Sequence, residues 1–326
     1  MAMRSGIGLD LTKKGGGGPP RFDKNSPYYK QVALLISILP LVAMEKQFAL
    51  KGGTAINLFI RNLPRLSIDI DLVYLPMDKR ETALANIRAA LNRIADSILK
   101  AIPGTQIQKS FESRDDALRL IVKQGDAQIK IELSPVLRGS VFSEELREVA
   151  EKVEEEFGYV EIQVVSMPDL YAGKLCAALD RQHPRDLFDV KFLLENEGIT
   201  DDLRKTFLVY LISHNRTMVE LLHPTRKDLQ VTYENEFVHM AQVSVPVKEL
   251  EFVWETLISN LNAALTDEEK RFLLSFKSLE PDWTLLGLPN IEALPAVRWK
   301  MLNLGKMDKA RHAQALRNLE GVLYSS

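Results

Sequence analysis

The stretch "LKGGTAINLFIRNLPRLSIDIDLVYL", Leu50 to Leu75, sets two glycines and a threonine at the head of a helical pattern, then two aspartates inside an apolar run. The run "LSIDIDLVYL" reads as a core strand. Its period of two puts Asp69 and Asp71 on one face and Ile68, Ile70 and Leu72 on the other. Unpaired carboxylates are costly inside a sheet. Side by side they also repel, so one must keep a proton unless a cation sits between them. A divalent metal resolves that conflict, and Mg²⁺ favours one or two carboxylates completed by phosphate oxygens and water. Asp69 and Asp71 are therefore candidate metal ligands.

The segment "KGGT" adds a second element. Gly52 and Gly53 let backbone N–H groups come close to a ligand, Thr54 is placed to cap the following helix, and a helix N-terminus attracts anions. A phosphate cradle followed by an acidic strand makes a coherent nucleoside triphosphate site. A third carboxylate comes from "QIKIELS", where Glu132 lies between Ile131 and Leu133, with Lys130 two residues earlier on the same face. Two roles are open to Glu132. It can complete a two-ion site, with ions about 3.5–4 Å apart holding the attacking and leaving oxygens, or it can take the proton from an attacking hydroxyl. Taken singly, Gly-Gly-Thr is an ordinary turn, Asp-x-Asp an ordinary solvated strand and Glu132 an ordinary surface residue. Their order along one chain is what points to a site.

Around this centre the chain of 326 residues divides into three parts. Residues 1–25 contain "KKGGGGPPR", which reads as a disordered glycine-rich arm. Residues 26–166 mix helix and strand. Pro27 opens a helix running to about Pro40, a second short helix follows to Gln47, and "DKRETALANIRAALNRIADSILKAI" is strongly amphipathic. "ALRLIVK" and "AQIKIELS" flank Gly125 as a hairpin. "SEELREVAEKVEEEFG" reads as one helix, capped by Ser143 and closed by Gly158, and "VEIQVVS" as a short strand. Residues 167–326 are mostly helical, with breaks at Pro224, Pro246 and "PDWTLLGLPNIEALP".

A formal net charge of −2 means that any nucleic-acid partner must meet a local basic patch. The single cysteine, Cys176, excludes an internal disulfide framework and fits a reducing, cytoplasmic setting. "VALLISILPLVA" is too short to span a bilayer, so no membrane partner is expected.

The glycine turn, the paired acids and the later strand bearing Glu132 resemble the DNA polymerase β-like nucleotidyltransferase superfamily. More narrowly, the chain resembles the AbiEii/AbiGii toxin family. The narrowing rests on "DLYAGKLCAALDRQHPRDLFDVKFLL" (Asp169 to Leu194), "HNRTMVELLHP" (His214 to Pro224), "FLLSFKSLEPDW" (Phe272 to Trp283) and "LPAVRWKMLNL" (Leu294 to Leu304). The resemblance implies an α+β fold, with a polymerase-β-like nucleotidyltransferase core on a small mixed sheet, completed by a helical C-terminal domain. The distance from Thr54 to Asp69 is accommodated as one extra helical turn around "NLPRL".

The resemblance further implies that Lys174 contacts the triphosphate and that Asp186 belongs to an additional acidic motif of the active site. A lysine point charge suits a phosphate tail. Arg181 and Arg185 are open to two readings, phosphate binding or simple cover, and Arg185 is a nucleotide-binding candidate. Asp189 reads as a helix-dipole residue paired with Arg185 at i,i+4. His183 reads as a cap or surface residue and Cys176 as core. The basic segment Arg298 to Arg317 suits either an RNA backbone or a solvated helix face.

The expected activity is Mg²⁺-dependent transfer of a nucleoside monophosphate from an NTP to a hydroxyl. The resemblance implies the toxin of a type IV toxin–antitoxin or abortive-infection pair, the 3′ end of tRNA as acceptor and a cognate antitoxin. The competing readings are a small-molecule or protein acceptor, and a catalytically silent module that senses nucleotide.

Overall fold

The computed structural model describes residues 23–324. The predicted arm therefore lies almost wholly outside the described residues. Helix α1 (Pro27–Val42) starts at Ser26, whose hydroxyl accepts from the Tyr29 N–H. It continues through Pro40 for two residues and then turns, so the second short helix expected before Gln47 is absent. In its place strand β1 (Phe48–Lys51) enters the middle of the sheet. Phe48, Ala49 and Leu50 are all buried, and a short run covered on both faces shows no alternation to distinguish strand from helix.

Helix α2 (Gly52–Ala55) follows at once and runs into a wider π-turn over Ile56–Ile60. The extra helical turn expected around "NLPRL" does not form. Pro64 disfavours helical geometry at Leu63, which adopts φ 58. The segment runs extended instead, with Leu66 N–H donating to the Met240 carbonyl and Arg65 bridging to Ala241. It leads into β2 (Asp69–Tyr74). Helix α3 (Arg80–Ala101), edge strand β3 (Thr105–Lys109), and the hairpin β4 (Arg119–Gln124) and β5 (Ala127–Leu133) complete this half of the sheet.

The expected Ser143-capped helix is split in two. Glu145–Glu148 is edge strand β6, antiparallel to β7 (Glu161–Val164), and the helix α4 (Glu151–Phe157) begins only after Ala150. Leu146, which a single helix would have buried, is exposed, while Val149 and Val153 are buried. Pairing with β7 overrides the helical preference of this charged segment. Gly158 closes α4 at φ 106, as its position suggested.

The mixed sheet has the order β3-β4-β5-β2-β1-β7-β6. One face, carrying Ile70, Leu72, Leu120, Val122, Ile131 and Leu133, is buried under α1 and α3. The helical half follows as α5 (Met167–Arg181), α6 (Pro184–Asn196), α7 (Asp201–Ser213), α8 (Met218–Leu222), α9 (Gln230–Glu236), α10 (Val247–Ala264), α11 (Asp267–Lys277), α12 (Pro295–Gly305) and α13 (Lys309–Tyr324). Its breaks fall at the prolines expected. No helix among the described residues is long and apolar enough to cross a membrane. The fold is α+β, with helix α2 lodged between the sheet and α5.

Candidate active site

Register places the acids. Asp71 lies beside Glu132 on the parallel neighbour β5, and Asp69 beside Lys130. On the other side Lys51 of antiparallel β1 faces Asp71, and Arg119 of β4 faces Glu132. Residues in register share a face, so one row across four strands reads Arg119, Glu132, Asp71, Lys51. The three predicted carboxylates thus share one surface of the sheet, beneath the helical half.

Asp71 is the electrostatic centre of the row. Burial pushes its carboxyl above the ordinary range; Lys51 pulls it back, Asp69 and Glu132 raise it further, and Lys174 pulls down again. Its side chain is also pressed against the glycine turn. A Cβ on Gly52 would stand 2.6 Å from Asp71 Oδ2, and Gly52 has φ +75, a backbone region that L-residues avoid. Gly52→Ala combines about 1–2 kcal/mol of backbone strain with displacement of the Asp71 carboxylate. The expected outcome is a lower Tm and loss of nucleotidyl transfer, checked by calorimetry and by radiolabelled-NTP incorporation on the same preparation.

Gly53 is hemmed in differently. A Cβ there would lie 2.7 Å from Arg65 Nη2 and 3.0 Å from Ser67 Oγ. Thr54 sits inside α2 and does not cap it. Its hydroxyl is fully buried, donates to the Asp69 carbonyl and accepts from the Ser67 hydroxyl at 3.0 Å. The threonine side chain therefore ties the glycine turn to the acidic strand.

Beneath the turn lies a buried charge network that crosses between the two halves. Asp189 accepts from Arg65 Nε at 2.8 Å, Arg65 Nη2 at 2.6 Å and Asn57 Nδ2 at 3.0 Å. Lys174, only 6 % exposed, contacts Asp189 at 2.9 Å and Asp186 at 2.8 Å. Arg181 donates to both oxygens of Asp186. Burial alone would raise both carboxyls, but Lys174 and Arg181 hold Asp186 well below the usual range, and Arg65 with Lys174 hold Asp189 below it. The expected Arg185–Asp189 pair is not formed. Asp189 points inward to Arg65, and Arg185 turns to Glu236 at 3.7 Å, beside a cavity of about 230 Å³ that Asp69 and Lys130 also line.

Other assignments fall where the sequence put them. His183 caps α6, accepting from the Arg185 N–H, and Cys176 is buried core. Lys300 of the basic C-terminal segment bends inward to the carbonyls of His214 and Arg216. Lys51, Asn57, Arg65 and Arg119 were not singled out in the sequence. Lys51 adjoins the glycine turn and Arg119 lies opposite Glu132 in the hairpin, so both had a positional signal. Asn57 and Arg65 had none, because their partner Asp189 is more than a hundred residues away.

Asp69 and Asp71 make no ion pair among the described residues, and they offer the hard oxygen donors that Mg²⁺ favours. The raised proton affinity of Asp71 is the strain that a bound cation would relieve. The donor set thus fits a divalent ion. As the side chains stand, no three candidate ligands converge on one point among the described residues. Glu132 is instead engaged with Arg119 Nη2 at 2.5 Å.

The same architecture occurs elsewhere. MenT4, a nucleotidyltransferase toxin from Mycobacterium tuberculosis H37Rv, superposes with a TM-score of 0.57 over 92% of this chain and 95% of that chain, at 16% sequence identity, which shows a shared fold. No curated protein sequence gives a significant match. The family model for the nucleotidyl transferase AbiEii toxin of type IV toxin–antitoxin systems matches residues 33–301, spanning the glycine turn, the acidic row and the buried charge network. The chain therefore belongs to the AbiEii family of nucleotidyltransferase toxins.

Proposed function

We propose that the protein transfers a nucleoside monophosphate from an Mg²⁺-bound NTP to a hydroxyl at the 3′ end of tRNA, as the toxin of a pair with a cognate antitoxin. The observation that carries the reading is the placement of Asp71 between Glu132 and Lys51, hard against Gly52. Asp69 and Asp71 would hold the metal, with Glu132 within one strand spacing. When bound, the ion neutralises triphosphate charge and orients the reacting oxygens.

The chain's own groups do the rest. The backbone of Gly52 and Gly53 at the start of α2 seats the phosphate tail. Lys51 flanks that tail, and Lys174 adds positive potential beneath Asp71. Preorganised charge of this kind is the main contribution of a protein to phosphoryl transfer. In the transfer, a bond forms from the acceptor oxygen to the α-phosphorus and the α–β bridging bond breaks. The hydroxyl proton passes to the Glu132 carboxylate, and pyrophosphate leaves with the bonding electron pair. The tRNA acceptor is the expectation drawn from the sequence resemblance.

The test is incubation of the protein with Mg²⁺, bulk tRNA and each labelled NTP in turn. Label is expected in tRNA-sized species, and EDTA abolishes it. Label confined to protein or to small molecules removes tRNA as the acceptor; no label in any fraction removes the transfer reading itself.

A further inference from the structure

A cavity of about 380 Å³ opens beside the acidic row and is lined by Lys51, Asp71, Arg114, Arg119 and Glu132. Its position follows from the sheet. The glycine turn continues from β1, on the Lys51 side of Asp71, whereas Glu132 and Arg119 lie on the opposite side, on β5 and β4. In-line displacement needs the entering and leaving oxygens on opposite sides of the reacting phosphorus. With the pyrophosphate end held at the glycine turn, the acceptor must come in from the Arg119 side, through this cavity.

The chemistry of the wall selects what enters. The Arg119 guanidinium has one ion-pair partner, Glu132, and its buried Nε–H finds no acceptor among the described residues. The planar fork of an arginine matches a phosphate in two-point contact. Arg114 adds a second guanidinium at the mouth, partnered there by Asp116 at 2.9 Å. Both side chains of the Arg119–Glu132 pair are about two-fifths exposed, at 39% and 43%, so an incoming anion can reach the bond between them.

We infer that Arg119 binds a phosphodiester of the acceptor strand just behind its reactive hydroxyl, and that this phosphate displaces Glu132 from Arg119 toward Asp71. The inference rests on the transfer reading above. Before the acceptor arrives, Arg119 restrains Glu132, and the third carboxylate is withheld from the pair. Once the acceptor phosphate takes the guanidinium, Glu132 is released to the neighbouring strand position beside Asp71. Acceptor binding and assembly of the acidic site are thereby one event, which disfavours transfer to water.

The test uses the full chain and a short RNA hairpin with a free 3′ end, in natural form and with the 3′-terminal phosphodiesters replaced by neutral methylphosphonates. Binding is read by fluorescence anisotropy in EDTA, so that no metal contributes. The wild-type protein is expected to prefer the natural RNA about tenfold. Arg119→Ala should lose about tenfold in affinity for the natural RNA and bind both forms alike. Arg119→Lys keeps the charge without the fork, recovers only part of the natural affinity and still prefers the natural RNA, and an unchanged Tm for both variants shows that the fold survives. Equal binding of both RNAs by the wild type, or unchanged binding by Arg119→Ala, overturns the inference. In the labelled-NTP assay Arg119→Ala should raise the KM for RNA about tenfold; wild-type transfer with no such rise sinks the Arg119 subsite alone. Discrimination in binding without label in any fraction leaves the subsite standing and removes the transfer reading. Label on protein, with RNA neither bound nor competing, overturns the Arg119 subsite and the tRNA acceptor together.

Discussion

Asp71→Asn is expected to cut nucleotidyl transfer by about 10³-fold while raising the melting temperature of the metal-free protein at neutral pH. The first effect follows from the proposed role of Asp71 as a charged metal ligand, since several kcal/mol of transition-state stabilisation corresponds to about three decades in rate. The second follows from the surroundings of Asp71. Burial and the nearby Asp69 and Glu132 raise its carboxyl above the ordinary value, so ionisation costs more in the folded chain than in the unfolded one. A raised acid favours the folded state only while it is protonated. The cost therefore appears as pH rises past the unfolded value of about 3.9, and it grows until pH passes the raised folded value. Asparagine keeps the shape and removes that cost. Differential scanning calorimetry in EDTA and labelled-NTP incorporation in Mg²⁺, run on the same variant, check both halves. An unchanged rate, or a lower Tm, contradicts the assignment.

The other large effect concerns Arg65 and Asp189. Both side chains are almost wholly buried, at 3% and 0% exposure, and they meet in a two-point ion pair. Removing one partner of such a pair leaves an uncompensated charge and costs about 3–5 kcal/mol. Arg65→Ala and Asp189→Ala are each expected to fall in that range in urea unfolding. The double variant Arg65→Met with Asp189→Leu should recover much of the loss, because no lone charge remains. Asp189 is held below the usual carboxylate range, so its contribution is complete above the unfolded value and is lost only as pH falls through the depressed folded value. Wild-type unfolding should therefore be nearly independent of this pair between about pH 5 and 8. If the single variants unfold like the wild type, Asp189 is not the counter-charge of Arg65.

The acidic row was legible in the sequence because strand alternation is a local rule. Asp69, Asp71 and Glu132 were placed on their faces by counting in twos, and the register of β2 on β5 then brought them side by side. Gly52 was legible for a related reason, since a glycine before a helix signals close approach. The failures have a different cause. Strand β1 is covered on both faces and carries no alternation. Strand β6, Glu145–Glu148, is charged and gains its structure only by pairing with β7. Within its own helix Asp189 has Arg185 at the right spacing, but the partner it takes, Arg65, lies in a loop 124 residues earlier. Lys174 shows the mixed case. The sequence brought it near the site, but its ammonium is bound by two carboxylates that no spacing rule would assign together.

The counter-charge for Arg65 is furnished by α6, while Arg65 itself abuts Gly53 at the base of the glycine turn. Residues before Val164 carry the whole acidic row, yet severed from the helices they would retain a stranded guanidinium under the very loop proposed to grip the nucleotide. A proteolytic fragment ending after the sheet is consequently not a smaller poison. Clipping the linker between the two halves would be a means of disarming the protein, not of unleashing it.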